Sequence, residues 1–422
     1  MKFGGTSVGD MDRLTRAARR VRLQVDEGRK VIAIVSAMAG ETNRLIECVQ
    51  SCGTMFDARE YDAVVANGEN VTAGLLAITL QQMNVPARSW QGWQVPVRTS
   101  AAHGAARIVD IGVDNVLARF AEGMKVAVVA GFQGVTNDNR IATLGRGGSD
   151  LTAVAFAARF GSRLCSIHTD VDGVYTADPR IVPKARKLDR ISYEEMLEMA
   201  SLGAKVLQSR SVELAMQYKV PVRVLSSFSD SSGTLVCDED PNMELRPISG
   251  IAHSRDEAKV TIVSVADRPG IAATVFGALA DSSVNVDMIV QNISEKGRTD
   301  ITFSCPVEDV ETARQALANI HGRGLINYQG LLHDRDVCKI SVVGIGMRSQ
   351  SGVAAQMFSA LAQEGINIQV ISTSEIKISV LVGRRYLELA VQALHDKFQL
   401  DRDNRALGEV DRAQCVQAQE EI

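Results

Sequence analysis

Short apolar runs alternate with amphipathic stretches along the first half of the chain. Residues 31–35 and 125–130 are rich in β-branched and other apolar residues, which is typical of strands buried in a parallel sheet. Between such runs the hydrophobic positions recur with helical spacing, and Asp10 and Gly28 predict the start and the end of the first helix. The pattern predicts helices packed on a mostly parallel sheet.

The same alternation continues to the middle of the chain. Residues 149–160 predict a helix, residues 164–167 and 221–225 predict strands, and Ser192, which two glutamates follow closely, predicts another helix start. From residue 226 to residue 247 the sequence becomes rich in serine and acidic residues. This change marks the end of a first domain and a linker.

The second half of the chain contains a tandem duplication. Residues 270–287 align without gaps with residues 352–369, and eight of the eighteen positions are identical, with a period of 82 residues. Strand-like sequences flank both copies, so each copy predicts a strand, a loop, a helix and a further strand. Shared apolar positions such as Phe276 and Phe358 are interpreted as core residues.

Length and charge narrow the function classes. A chain of 422 residues is expected to form two or three domains, and 45% hydrophobic residues allow each a packed core. The 46 basic and 50 acidic residues give a net charge of −4, which offers no electrostatic surface for nucleic acid or anionic membrane. Because no apolar run approaches the roughly 20 residues of a membrane span, we expect a cytoplasmic protein without nucleic-acid or membrane partners.

Cysteine and histidine residues are scattered along the chain. The seven cysteines are an odd number without a disulfide pattern, and the six histidines lack the spacing of metal ligands. Cys48 and Cys52 lie one helical turn apart, but no second pair completes a metal site, so a helix face is the favoured interpretation. We therefore expect no metal-ligating residues.

Two glycine-bearing segments have features of anion sites. In residues 2–8 (KFGGTSV), adjacent glycines allow backbone amides to approach an anion, and Lys2 supplies positive charge. Residues 144–150 (LGRGGSD) bring two glycines to a predicted helix start, where free amides and the helix dipole favour negative charge. Arg146 can hold a carboxylate through two hydrogen bonds, and Asp150 either caps the helix or orients a cation such as Lys2.

A third segment, residues 169–180 (TDVDGVYTADPR), follows a predicted buried strand and is unusually dense in aspartate. A calcium-binding loop is the first alternative for such a sequence. The glycine spacing and the missing terminal glutamate do not match an EF-hand loop.

Taken in order, these motifs resemble those of the bacterial aspartate kinases, and the resemblance covers essentially the whole chain. Besides the three segments above, it is carried by residues 36–38 (SAM), 40–43 (GETN), 68–69 (GE), 130–134 (AGFQG) and 203–205 (GAK). It implies an α/β amino-acid-kinase fold, a three-layer αβα structure with a mostly parallel sheet. Two α+β, ferredoxin-like ACT domains would follow that fold.

The resemblance implies ATP-dependent phosphorylation of the side-chain carboxylate of aspartate, with Mg²⁺. Lys2 would stabilise the transferring phosphoryl group, and Asp150 would position Lys2. The aspartate pocket would consist of Ser36, Thr42, Glu69, Arg146 and Gly147, with Glu69 at the ammonium group and Arg146 at the α-carboxylate. The residues implied at the nucleotide are Lys2, Gly4, Gly5, Ser149, Thr169, Asp170, Tyr175, Asp178, Arg180 and Lys205.

By the same resemblance the duplicated modules are βαββαβ ACT domains, through which lysine, threonine or both would inhibit the enzyme. The residues expected around an effector are Asp267, Gly270, Asn285, Asp287, Gln291, Met347, Ser349, Gly352, Asn367, Ser372 and Glu375. For Asn285 and Asn367, an equally simple interpretation is that they end helices.

The predicted domains are residues 1–238 for catalysis, 239–249 as a linker, 250–334 and 335–409 as ACT domains, and 410–422 as a polar tail. We expect a homo-oligomer, or a hetero-oligomer with an ACT-only subunit that starts near Met243.

One departure from the family opens a different function. The family has a short apolar strand before its Lys-x-Gly-Gly motif, whereas here the chain begins Met1-Lys2, so we expect that strand to be absent or truncated. A catalytically impaired amino-acid sensor is therefore the main alternative, although Lys2 and Asp150 are intact. Glutamate, carbamate and uridylate kinases are disfavoured by the duplicated half and by the predicted aspartate pocket.

Overall fold

The computed structural model describes residues 1–202, 206–239, 247–292 and 297–402. These residues form two compact units. The first comprises residues 1–174, 187–201 and 206–239, and the second comprises residues 175–186, residue 202 and the described residues from 247 onward. The predictions for Lys205, Met243 and the polar tail lie outside the described residues, and the predicted domain boundaries stay predictions.

The first unit is built from helices on both faces of a central sheet. Its helices are α1 (Met11–Asp26), α2 (Glu41–Cys52), α3 (Ala58–Val65), α4 (Asn67–Gln82), α5 (Asp114–Ala121), α6 (Gly148–Arg159), α7 (Tyr193–Ser201) and α8 (Ser209–Tyr218). Asp10 caps α1 as predicted, because its side chain accepts a hydrogen bond from the Arg13 amide at 2.8 Å. Ser192 and Glu195 exchange two hydrogen bonds of 3.1 Å at the start of α7, a capping box.

The strands of this unit form two sheets. They are β1 (Lys2–Phe3), β2 (Val31–Val35), β3 (Ala87–Trp90), β4 (Val97–Thr99), β5 (Ile108–Ile111), β6 (Val126–Ala130), β7 (Gln133–Val135), β8 (Ile141–Thr143), β9 (Cys165–Thr169), β10 (Arg190–Ser192), β11 (Val222–Ser226) and β12 (Thr234–Cys237). Among the described residues the main sheet has the order β10-β12-β11-β9-β1-β2-β6-β3, with the pair β11–β12 alone antiparallel. A smaller sheet has the order β5-β4-β7-β8.

Apolar residues of α1 and α4 pack on one face of the main sheet. Leu14 and Val21 from α1 and Leu76 from α4 form one buried cluster with residues of β2 and β6. By length and apolar composition alone, residues 58–82 would also suit a membrane span, but half of their most apolar window is buried inside the unit. The predicted α/β architecture is confirmed.

Strand β1 lies at the centre of the main sheet. Lys2 pairs in parallel with Ile34 of β2 on one side and with Ile167 of β9 on the other. Lys2 and Phe3 form a two-residue strand at this position, so the sheet has a central strand, although it is short. Its position places Lys2 in the interior of the unit.

The second unit contains both copies of the duplication. Its elements are β13 (Gly250–Ala266), α9 (Ile271–Asp281), β14 (Ile289–Gln291), β15 (Arg298–Cys305), α10 (Val310–Gly322), β16 (Gly330–Val343), α11 (Val353–Gln363), β17 (Ile368–Thr373), β18 (Lys377–Gly383) and α12 (Leu387–Lys397). Among the described residues each copy contributes βαββα, which starts with the strand, helix and strand that the duplication predicts and has one strand fewer than the implied βαββαβ pattern. Because α9 and α11 end four residues before Asn285 and Asn367, the interpretation that these asparagines end helices was wrong.

The two copies share one antiparallel sheet of order β14-β15-β13-β16-β18-β17. The long strands β13 and β16 pair with each other in antiparallel orientation. Gly250 pairs with Val343 at one end and Val263 with Gly330 at the other. The first half of β13 packs in the core of the second copy, through Ile251. Each module therefore completes its sheet with part of a strand from the other copy.

Residues 175–186 pack into the core of the second copy. Ile181 and Val182 belong to one buried cluster with Leu394 of α12. The Gln392 side chain donates a hydrogen bond of 2.9 Å to the Ile181 carbonyl, and Lys184 pairs with a carboxylate of the same helix. A stretch that lies in the middle of the sequence thus becomes part of the ACT-type module.

Replacing Val182 with alanine should destabilise the second unit by roughly 1–3 kcal/mol, because it leaves a cavity at a site that is 1% exposed. Leu389→Ala, at an exposed position of α12 in the same unit, is the control and should cost less than about 0.5 kcal/mol. Differential scanning calorimetry measures both. Equal effects of the two substitutions would contradict the packing of residues 175–186.

Candidate functional site

One pocket collects residues from the carboxyl ends of β1 and β2 and from the start of α6. Its volume is about 310 Å³, and its walls are formed by Lys2, Gly5, Ser36, Ala37, Met38, Ala39, Gly40, Thr42, Glu69, Phe132 and residues 145–150. The residues predicted for catalysis and for the aspartate pocket all contribute to these walls. Residues that are up to 148 positions apart in the sequence, from Lys2 to Asp150, therefore lie around one space.

An ion pair lies at the base of this pocket. The Lys2 Nζ atom is 2.6 Å from an Asp150 carboxylate oxygen, and the two side chains are 10% and 12% exposed. Because both groups are largely withdrawn from water, each depends on the other for compensation of its charge. Asp150 is thus in contact with the Lys2 ammonium group, and its role in orienting that group stays a prediction.

The start of α6 supplies backbone donors next to this pair. Gly147 precedes the helix with a φ of 72°, and a Cβ atom placed there would lie 1.9 Å from the Gln208 side chain. Only glycine fits this position without a clash. Ser149 and Asp150 occupy the first turn of the helix. The Gly148 and Asp150 amides donate hydrogen bonds of 3.0 Å to the Gly145 and Gly147 carbonyls, which leaves the Ser149 amide and the helix dipole to favour an anionic ligand.

Glu69 is a buried acid in the wall of the pocket. One carboxylate oxygen accepts a hydrogen bond of 3.0 Å from the Ala37 amide, and the other has no hydrogen-bond partner within the described part of the chain. Burial raises the pKa of Glu69 to about 7, although the Ala37 amide and the Lys2 charge oppose the rise. A buried carboxylate with an unused oxygen is suited to a cationic ligand group.

Arg146 provides a positive charge at the same pocket. It lies in the loop between β8 and α6 and is exposed, whereas Glu69 and Lys2 are buried. Ser36 and Thr42 add hydroxyl groups from the end of β2 and the start of α2. The pocket therefore offers two cations and two acids, of which Asp150 is paired with Lys2 and Glu69 is available to a ligand. This set suits a small zwitterion with a second anionic group.

The residues predicted at the nucleotide divide into two groups. Gly4 is held beside Lys2 by a hydrogen bond of 3.1 Å from its amide to the His168 carbonyl. Thr169 and Asp170 follow at the end of β9, where the Thr169 carbonyl accepts a hydrogen bond from Ser227 at the end of β11. These three residues therefore lie along the carboxyl edge of the main sheet.

Tyr175, Asp178 and Arg180 belong to the second unit. Arg180 donates hydrogen bonds of 2.7 and 3.0 Å to the two Asp178 oxygens, and this contact lowers the pKa of Asp178. Their role at a nucleotide stays a prediction.

The predicted effector residues of the second copy meet at one loop and one turn. Helix α11 starts after Gly352, and the Arg348 guanidinium of the preceding loop lies 3.5 Å from the Glu375 carboxylate. Ser349 turns back to donate a 3.2 Å hydrogen bond to the Gly346 carbonyl, and Ser372 lies on β17. This arrangement brings Glu375 close to the loop that contains Met347 and Ser349.

One predicted effector residue, Asp287, contacts the opposite copy, and so does Gln369, which was not predicted. The Asp287 carboxylate pairs with the Lys339 ammonium group of β16, and Gln369 accepts a hydrogen bond from Lys259 of β13. Lys339 also lies 2.6 Å from Glu257, and both of these side chains are buried. Asp287 and Gln369 occupy equivalent positions of the duplication, and each contacts a lysine of the other copy, although the two lysines are offset from each other by two residues in the repeat. Neither contact could be foreseen from the sequence.

The other predicted effector residues of the first copy are spread over its surface. Asp267 and Gly270 lie in the loop before α9, with the Asp267 amide bound to the Gly297 carbonyl at 2.9 Å. Asn285 and Gln291 are exposed, as is Asn367 of the second copy. Their role around an effector stays a prediction.

Phe132 is a pocket residue that sequence reasoning missed. It has a φ of 68°, a conformation that is rare outside glycine. Its amide donates to the Thr152 hydroxyl and its carbonyl accepts from the Leu144 amide, so it links α6 to the loop of Arg146. Its neighbours in the AGFQG motif were the only available signal. Within the described residues, no group of three His, Cys, Asp or Glu side chains could hold a metal ion.

Comparisons with known proteins agree with this geometry. The profile of the amino acid kinase family matches residues 1–226, and ACT domain profiles match residues 259–322 and 340–398. The chain is 50% identical to the aspartate kinase of Pseudomonas putida and 51% identical to the aspartokinase of Pseudomonas aeruginosa. Each alignment covers 96% of this chain and 98% of the relative.

Solved structures show the same similarity. Escherichia coli aspartokinase III in complex with aspartate and ADP has a TM-score of 0.77 and 27% sequence identity, over 94% of this chain and 98% of that chain. The same enzyme in complex with lysine and aspartate has a TM-score of 0.72 with the same identity and the same coverage. The pocket therefore belongs to a fold whose relatives have been solved with an amino acid and a nucleotide bound.

Replacing Glu69 with glutamine should stabilise the first unit at high pH. A folded-state pKa of about 7 against an ordinary value of 4.5 means that ionisation of Glu69 destabilises the fold as pH rises through this interval. The free-energy cost of ionising Glu69 in the folded chain is absent below pH 4.5 and complete above about pH 7. The stabilisation of Glu69→Gln should be near zero at pH 4 and about 3 kcal/mol at pH 8.

Urea unfolding followed by tryptophan fluorescence measures this effect, because Trp90 and Trp93 both lie in the first unit. The exposed Glu47→Gln on α2 is the control and should show no such pH dependence. A pH-independent effect of Glu69→Gln would contradict a raised pKa.

Proposed function

The chain belongs to the amino acid kinase family and, within it, to the aspartate kinases, and from this premise we propose that it phosphorylates the side-chain carboxylate of aspartate with ATP. The product would be 4-phospho-aspartate, the first intermediate toward lysine, threonine and methionine. The observation that carries the proposal is the buried Lys2–Asp150 pair, in a pocket shared with Glu69 and Arg146.

The charges of the pocket match the three charged groups of aspartate. The ammonium group is assigned to Glu69 and the α-carboxylate to Arg146, which forms two hydrogen bonds with such a group in its best geometry. The remaining carboxylate would then point toward Lys2 and the start of α6. Glutamate is longer by one methylene group, so its side-chain carboxylate would meet the phosphoryl group in a different position.

The reaction needs no general base. A side-chain carboxylate with an ordinary pKa of about 3.9 is already ionised at neutral pH. The obstacle is the repulsion between this carboxylate and the polyphosphate of the magnesium–ATP substrate. Lys2, held by Asp150, would offset the negative charge of the transferring group together with the Ser149 amide and the helix dipole at the start of α6.

We also propose that lysine, threonine or both regulate the enzyme through the ACT domains. Support comes from residues 175–186, which continue the aspartate-rich segment after β9 and yet pack in the core of the second copy. Tyr175, Asp178 and Arg180, the residues proposed at the nucleotide, lie within this stretch. An effector that binds the two arrangements of an ACT domain unequally would shift this segment and hence nucleotide binding.

The proposed setting is a cytoplasmic enzyme that works as a homo-oligomer or with an ACT-only subunit starting near Met243. Mg²⁺ is expected as the counter-ion of ATP, because this ion is usually bound through substrate phosphates and few protein carboxylates. The alternative of an impaired sensor loses its main argument, since Lys2 lies on a strand of the main sheet and contacts Asp150.

The test of this function is turnover of magnesium–ATP by the purified chain, with acyl phosphate trapped by hydroxylamine. Aspartate should support turnover, and glutamate at the same concentration should not. Equal rates with both amino acids would overturn the assignment of the pocket. No turnover with aspartate, together with effector binding, would favour the sensor.

Lys2→Ala should lower kcat by roughly 10²–10³-fold, because the charge acts on the transferring phosphoryl group. The KM for aspartate should change only a few-fold, since Glu69 and Arg146 are expected to hold the amino acid. Lys125→Ala replaces an exposed lysine of the same unit and should leave both constants unchanged. Near-normal turnover of Lys2→Ala would remove Lys2 from the mechanism.

Glu375→Gln should weaken inhibition. Loss of a carboxylate partner for an amino-acid ammonium group is expected to raise the effector concentration for half-inhibition about tenfold. The control is Glu364→Gln, an exposed residue just after α11, which should be inhibited like the unmodified chain. Lysine, threonine and their mixture are titrated separately. Unchanged inhibition in Glu375→Gln would place the effector elsewhere.

A further inference from the structure

Asp62 is a fully buried acid that lies outside the walls of the pocket. It belongs to α3 and has no exposed surface. Its Oδ2 atom accepts hydrogen bonds from the Thr143 amide at 2.9 Å, the Gly104 amide at 3.1 Å and the His103 ring at 2.8 Å. Its Oδ1 atom accepts one from the Thr143 hydroxyl at 2.6 Å. Four donors therefore surround this carboxylate, three of them at Oδ2 and one at Oδ1.

These contacts attach Asp62 to the end of β8, the strand that leads into the loop of Arg146. Thr143 is the last residue of β8 and stands three positions before Arg146. The Thr143 carbonyl accepts a hydrogen bond of 2.9 Å from the Ala106 amide, so residues 103–106 are attached to the same point. Asp62 therefore lies at the centre of a network that anchors the base of the Arg146 loop.

Hydrogen bonds and close backbone contacts also restrict the residues that follow Thr143. Arg210 donates hydrogen bonds to the Leu144 carbonyl at 2.7 Å and to the Ala106 carbonyl at 3.1 Å. Gly145 has a φ of 78°, and a Cβ atom there would lie 2.9 Å from the Gly104 carbonyl. The position of Thr143 is thus transmitted along two further residues to Arg146.

Asp62 also belongs to the helical stretch that carries Glu69. Helices α3 and α4 run almost continuously over residues 58–82. Asp62 and Glu69 are seven residues apart, which is about two turns, so they lie on one face of this stretch. Both side chains are buried. The carboxylate of Asp62 thus connects the helix of Glu69 to the strand before Arg146.

We propose that Asp62 is a positioning residue that sets the distance between Glu69 and Arg146 and thereby the affinity for the α-amino-acid group of aspartate. The inference rests on the proposed function, because Glu69 and Arg146 are assigned there to the two ends of this group. Asp62 touches neither substrate nor phosphoryl group. Loss of the Asp62 carboxylate would leave Lys2 and Asp150 in place and weaken the binding of the amino acid.

The test compares Asp62→Asn with Glu60→Gln, which removes an exposed partner of Arg140 on the same helix. Asp62→Asn should raise the KM for aspartate at least about tenfold, with kcat and the KM for ATP within about twofold of the unmodified chain. Calorimetric titration with aspartate should show the same loss. Glu60→Gln should change none of these quantities.

A second pair of variants keeps the test valid if Asp62→Asn fails to fold. Thr143→Val removes one of the four hydrogen bonds at nearly constant volume, and Thr143→Ser retains it. Thr143→Val should raise the KM for aspartate several-fold, and Thr143→Ser should restore it. A fall in kcat proportional to the folded fraction, with the KM for aspartate unchanged, would overturn the positioning role.

The coupling to Glu69 provides an independent readout. If Asp62 acts through Glu69 and Arg146, Asp62→Asn should raise the KM for aspartate by a much smaller factor in a Glu69→Gln background than in the unmodified chain. Additive effects would overturn the inference while leaving the enzyme an aspartate kinase. Absence of aspartate-dependent turnover in the unmodified chain would instead overturn the proposed function itself.

Discussion

The buried contact between Lys2 and Asp150 is the interaction on which the catalytic unit depends. Withdrawal of two charges from water is costly, and only a close partner compensates each of them. The contact joins the central strand β1 to the first turn of α6, so the sheet and the helix cannot shift independently without exposing an uncompensated charge. The same geometry presents a cation beside the amino-terminal end of a helix. The atoms that meet this structural constraint are therefore the ones proposed to neutralise a transferring phosphoryl group.

Beside this pair, Glu69 is a further buried charged residue of the pocket. Glu69 has one oxygen bound to the Ala37 amide and the other available, and its burial raises its pKa to about 7. An empty pocket thus carries an acid that is only partly ionised at neutral pH. The ammonium group of an amino acid would favour the ionised form, so ligand binding and deprotonation are thermodynamically linked. Arg146, at the exposed rim, has no such cost and can meet the incoming carboxylate in water.

The second unit depends on a different constraint, the exchange of strands between the two copies of the duplication. Because β13 and β16 each cross both modules, neither module completes its sheet alone. Side chains also connect the two copies, through the contacts of Asp287 with Lys339 and of Gln369 with Lys259. Residues 175–186 add a third participant from the middle of the chain. The regulatory half is thus a single packed body rather than two independent domains in series.

Local signals were sufficient for much of this protein. Alternating apolar runs predicted the parallel sheet, Asp10 and Ser192 predicted helix starts, and the period of 82 residues predicted the repeated module. The two glycine motifs contain half of the residues that line the pocket, because adjacent glycines and a charged residue beside them are encoded within a few positions. Ser36, Thr42 and Glu69 were implied only by the resemblance to a family. Tertiary structure alone decided which distant residues meet. The strand that Lys2 forms, the packing of Val182 beside α12 and the anchoring of Thr143 by Asp62 all depend on contacts across many residues, and no local periodicity records such contacts.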